Sequence, residues 1–98
     1  MLLVCMNSKQ RRTLEAIFSK PTPKTLLWRD IESLFSAVGC TASEGAGARV
    51  SFRFILERED KPAEAFREDF HRPRPGKEAR PYQVEAARKF LAKIGTLP

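Results

Sequence analysis

The chain has 98 residues, 42% of them hydrophobic, and carries 18 lysines and arginines against 12 acids for a net charge of +6. That length supports one domain, residues 1–98, with a modest core, and the cationic excess favours polyanionic partners, nucleic acid first among them. The two cysteines, Cys5 and Cys40, lack metal-site spacing, which argues against structural zinc, and a reducing, cytoplasmic setting fits them better than the alternative of a disulfide.

The opening "MLLVC" is too short for a signal sequence core or a membrane span. Residues 1–5 read as a loosely packed extension ahead of Met6. Ser8 is a candidate helix cap, and Leu14, Ile17 and Phe18 follow on one face at helical spacing. Lys9, Arg11 and Arg12 near that helix's start oppose its dipole unless solvated or near a phosphate. "KPTPK" (20–24) stops the helix, because each residue before a proline is pushed out of the α region. Leu27, Ile31, Leu34, Phe35 and Val38 then mark a second helix, with Gly39 suited to its C′ position. Trp28 is read as closing the side of the core.

After Gly39 the period changes. Thr41–Glu44 predicts a short strand, residues 45–47 ("GAG") a turn, and Val50, Phe52 and Phe54 alternate with Arg49, Ser51 and Arg53 in a half-buried strand. Residues 58–64 are a polar connection. Residues 65–72 ("AFREDFHR") alternate again, with Phe66 and Phe70 on one face, and the strand reading is preferred to a helix over 63–70. A proline-punctuated loop follows. Pro81 opens the last helix, Val84, Ala87, Leu91 and Ile94 form its inner stripe, Phe90 flanks it, and Gly95 ends it. The order is helix, helix, three strands, helix: an α+β domain whose three-stranded antiparallel sheet buries one face and leaves the other open.

Parity decides what the open face displays. If Val50, Phe52, Phe54, Phe66 and Phe70 point inward, then Arg49, Ser51, Arg53, Arg67, Asp69 and His71 point outward. A hairpin centred near residue 60 or 61 sets His71, the only histidine, opposite Arg49 or Ser51. A neutral imidazole can take the proton of a ribose 2′-OH, which then attacks the adjacent phosphorus while guanidiniums stabilise the phosphate charge. No metal or other cofactor is needed for that chemistry. Asp69 is expected either to orient the ring or to pair with Arg67. Arg72, Arg74 and Lys77 extend the cationic rim. There is no Walker or dinucleotide-binding glycine pattern, no carboxylate cluster for two metals, and no histidine near Cys40 in sequence to activate its thiol.

"WRDIESLFSAVGCTASEGAGARVSF", "FHRPRPGKEARP" and "VEAARKFLAKIGTLP" together resemble the HicA toxin family, from about Met6 to the C-terminus. The resemblance implies a fold like a double-stranded-RNA-binding domain with an extra N-terminal helix, an mRNA interferase activity, and two partners, mRNA and a HicB-like antitoxin. Family members usually carry a histidine after a Gly-Ser or Gly-Gly pair at the start of the second strand. Here Gly47 and Ala48 occupy the pair and Arg49 stands in the histidine's place. Many also carry His-Pro before the Gly-Lys-Glu of the loop, and here that place is Arg74-Pro75. His71 lies three residues earlier and is expected to act as general base from the neighbouring strand. The other readings are a non-catalytic RNA-binding module of the same fold and a protein-interaction domain that docks an acidic partner.

Overall fold

The structure, a computed structural model, describes residues 6–73 and 76–98. Its elements are α1 (Ser8–Ile17), α2 (Trp28–Ala37), β1 (Thr41–Glu44), β2 (Arg49–Leu56), β3 (Glu64–His71) and α3 (Pro81–Lys93). The sheet is antiparallel in the order β1-β2-β3, with β2 central. The α+β class and the ααβββα order are those the sequence predicts. The expected extension over residues 1–5 lies outside the described residues.

Local chemistry explains each boundary. The α1 cap is Asn7 rather than Ser8. Its Oδ1 accepts from the Gln10 amide at 2.8 Å, and Gln10 Oε1 accepts from the Asn7 amide at 3.0 Å. This reciprocal capping box satisfies two helix-end donors, and it works from Asn7 because Gln10 then falls three residues on. Gln10 also reaches α2, where its Nε2 donates to Ser33 Oγ at 2.9 Å. Lys9, adverse to the α1 dipole, is compensated by Asp30 of α2 at 3.5 Å.

Leu27 is the residue before α2 rather than part of its first turn, and no side chain caps that end. The far end closes on Gly39, at φ +103°. There the Cys40 amide bonds to Phe35 O at 3.0 Å and the Gly39 amide to Ser36 O at 3.1 Å. This is the paired C-terminal closure that needs a left-handed residue, hence glycine. Gly47, at φ +64°, gives the β1–β2 connection its turn, and Pro81 stands first in α3.

The core lies between the helices and one face of the sheet. Phe35 of α2 is fully buried. Its ring meets Phe52 at 4.8 Å, Phe70 at 5.8 Å and Phe90 at 5.6 Å between centroids. Trp28 packs on Phe70 at 5.3 Å and closes the side. Such pairs add about 0.5–1.5 kcal/mol each beyond the area they bury. Phe90, read from sequence as flanking, is buried and belongs to this centre. Val50, Phe52, Phe54 and Phe70 are buried and Phe66 is half-buried. Every outward neighbour of these residues on β2 and β3 has the opposite parity.

Candidate nucleic-acid interface

The register of the β2–β3 hairpin sets the candidate site. Arg49 stands opposite His71, Ser51 opposite Asp69, and Arg53 opposite Arg67. On the other side of β2, Thr41 faces Arg53 and Ser43 faces Ser51. All share the face that no helix covers. Arg49, Arg53, Arg67, Asp69 and His71 are exposed and Ser51 is half-buried. Directly opposed side chains on one face sit about 5 Å apart at Cβ, so Arg49 and His71 rise from adjacent positions, while the Arg49 stem lies by Gly45 on the β1 side. Thr41, Ser43, Ser51, Arg53 and Arg67 bound a shallow depression of about 320 Å³ beside them.

Asp69 takes the second of its two expected roles. It accepts from Ser51 Oγ at 2.6 Å and from Arg67 Nε at 3.0 Å. These bonds, the one from Ser51 foremost, hold its carboxyl below the usual carboxylate range. Arg67 also donates to Ser51 Oγ at 3.3 Å. Asp69 therefore steadies Arg67 and does not grip the imidazole. Among the described residues, the side chains of Arg49, Arg53 and His71 make no hydrogen bond or ion pair. Their polar atoms face solvent and are free to meet a ligand.

The backbone of His71 is held from behind. Gln83 of α3 is buried. Its Nε2 donates to the His71 carbonyl, and its Oε1 accepts from the Arg80 amide at 2.8 Å. The Arg72 amide bonds to Ala48 O at 2.8 Å. The end of β3 is thus fixed to both β2 and α3. Sequence reasoning missed Gln83, although a glutamine two residues after the helix-opening Pro81 is a helix-start signal.

Arg72 departs from its expected place on the rim. It has the parity of Phe70 and turns to the helix side. Its guanidinium grips both oxygens of Glu44 at 2.6 and 2.8 Å, and its Nε donates to Glu32 Oε1 of α2 at 3.1 Å. The hydrogen bond from Arg72 holds the Glu44 carboxyl below its usual range, and the pair with Glu44 raises the pKa of Arg72. This arginine ties β1 and α2 to the end of β3, so its charge is already compensated. Lys77 is exposed but lies before α3, where its carbonyl accepts from the Trp28 amide at 3.0 Å. Arg74 lies outside the described residues.

The chemistry available is that of a base beside cations. His71 offers an accessible imidazole, and Arg49 and Arg53 offer unpaired guanidiniums with the fork geometry that suits phosphate oxygens, whereas Arg67 is paired with Asp69 and Ser51 through Nε and Nη2 and keeps Nη1 for a ligand. Burial pushes the Cys40 thiol up to about 11, so it stays protonated and unreactive near neutral pH. Among the described residues, no group of three or more His, Cys, Asp or Glu side chains is placed to hold a metal ion, and no helix is long and apolar enough to cross a membrane. Comparison with protein-family models, with curated proteins and with solved structures gives no match.

Proposed function

We propose that this chain is a HicA-like ribonuclease of the cytoplasm that binds single-stranded mRNA on the open sheet face and cleaves it by general base catalysis. The observation that carries the reading is the register pair Arg49–His71 on that face, with Arg53 and Arg67 alongside. Arg49, Arg53 and Arg67 hold phosphate oxygens. His71 takes the 2′-OH proton, O2′ bonds to phosphorus, and the 5′ oxygen leaves and gains a proton from water. The products are a 2′,3′-cyclic phosphate and a 5′-hydroxyl. A HicB-like antitoxin is the proposed protein partner, with acidic groups facing the same arginines.

A second reading, RNA binding without cleavage, has one observation in its favour. Asp69 is occupied by Ser51 and Arg67, which leaves the ring of His71 without an orienting carboxylate. Incubation with a defined single-stranded RNA in chelator separates the two. Cleavage to cyclic-phosphate ends, blocked by a single 2′-deoxy substitution at the cut position, is the expected result. RNA that is bound in a salt-dependent way yet stays intact would establish the second reading.

A further inference from the structure

A cleft of about 510 Å³ lies where the start of α2 meets the segment between β3 and α3. That size suits a small ligand or one unit of a chain. Leu27, Trp28 and Pro73 give it an apolar wall, and Arg29 and Lys77 stand at its rim. Its two sides are held in register. Leu27 pairs with Glu78 in an antiparallel bridge, the Trp28 amide bonds to Lys77 O at 3.0 Å, and the Ala79 amide bonds to Leu26 O at 2.7 Å. These bonds fix the start of α2 to residues 77–79.

Two observations say what fits it. Arg29 and Lys77 are exposed and make no ion pair among the described residues, whereas Arg72, also in the wall, is committed to Glu44 and Glu32. The rim is thus cationic and unspent. Trp28 is 4% exposed and its indole Nε1 is out of the reach of solvent, so Leu27 and Pro73, both half-buried, carry most of the apolar wall. The cleft opens on the helix side, with Arg72 and Trp28 in its wall, yet close along the chain to the open face: from His71, whose side chain is on that face, to Pro73 in the cleft wall is an extended path of about 7 Å. A larger depression of about 790 Å³ lies by the β2–β3 loop, with Glu57 and Glu59 among its lining residues. Those carboxylates repel a polyanion.

We propose that the cleft receives one nucleotide of the RNA strand that crosses the open face, a proposal that rests on the RNA-binding reading above. The base lies against Leu27 and Pro73, beside Trp28. Its phosphate is held by Arg29 and Lys77. The cleft then sets where the strand enters, and so which phosphate lies over His71.

Trp28 is the only tryptophan, so its emission reports on the cleft directly. The test titrates the protein with a short single-stranded oligouridylate, following binding by anisotropy of a labelled strand and Trp28 emission with an unlabelled one. A strand carrying 4-thiouridine is then crosslinked and the attachment points are mapped. The expected result is an emission change with the same midpoint as binding, and crosslinks within residues 27–29 or 76–77. The double variant Arg29→Glu, Lys77→Glu, checked for folding by its melt, should lose the emission change and flatten the salt slope by about 0.7, the share of one phosphate on a single strand. Binding with unchanged Trp28 emission and crosslinks confined to β2 and β3 would overturn the cleft and leave the open-face reading standing. No binding at all would remove both.

Discussion

His71 and Arg72 are neighbours in the chain and end on opposite sides of the sheet. His71 sits among exposed guanidiniums, with no partner for its ring among the described residues. Arg72, one residue on, is clasped by two carboxylates on the helix side. The difference teaches that a cationic stretch is not a uniform surface. In a strand, successive side chains change face, and the face decides whether a charge is available to a ligand or used to hold elements together. The open face should therefore govern RNA binding and chemistry, and the Arg72 clasp should govern stability.

The largest expected effect that sharpens this contrast comes from reversing charge on the open face. Arg49→Glu with Arg53→Glu should weaken binding of single-stranded RNA and flatten the dependence of log K on log salt by about 0.7 for each phosphate that is no longer neutralised. The thermal melt should stay close to that of the wild type. A steep fall in melting temperature would break the division of roles. Arg72→Met should do the reverse. It keeps much of the aliphatic packing and removes the ion pairs, at a cost of roughly 1 kcal/mol, read by denaturant unfolding, with the salt slope of RNA binding unchanged.

The smallest effect is electrostatic and depends on pH. Ser51 and Arg67 hold the folded-state pKa of Asp69 below its ordinary value. Its stabilising contribution is therefore full above the unfolded-state pKa of about 4 and is lost as pH falls through the lowered folded value. Asp69→Asn should lower stability slightly at neutral pH and make the acid limb of the stability curve shallower. An acid limb of unchanged steepness would mean that the Ser51–Asp69–Arg67 contacts contribute nothing to the folded state in solution.

Much of this was legible in the sequence because strand parity is a strong constraint. Val50, Phe52, Phe54 and Phe70 announce the buried face, and their alternation places Arg49, Arg53, Arg67 and His71 on the other. A hairpin centred at residue 60 then pairs His71 with Arg49, within the two partners expected. The same parity also placed Arg72 inward, but the cationic run 72–77 hid that. Its partners Glu32 and Glu44 are 40 and 28 residues away, a separation local pattern cannot bridge. Asn7 was overlooked as a cap because the signal lies in its pairing with Gln10 and not in either residue alone. Phe90 read as flanking because its place beside Phe35, 55 residues away in the chain, is a tertiary contact that periodicity does not specify. The cleft at Trp28 needed the bridge between residues 27 and 78, a tertiary contact without a sequence signature.

The central claim is that the imidazole paired across the hairpin with Arg49 is the base. The direct measurement is the single-turnover rate of cleavage of a defined single-stranded RNA in chelator, for the wild type and for His71→Gln, with binding measured alongside. The account predicts a loss of about 10²–10⁴ in rate, the range for removing a general base, with affinity and melting temperature little changed. Equal cleavage rates for the two proteins would contradict it.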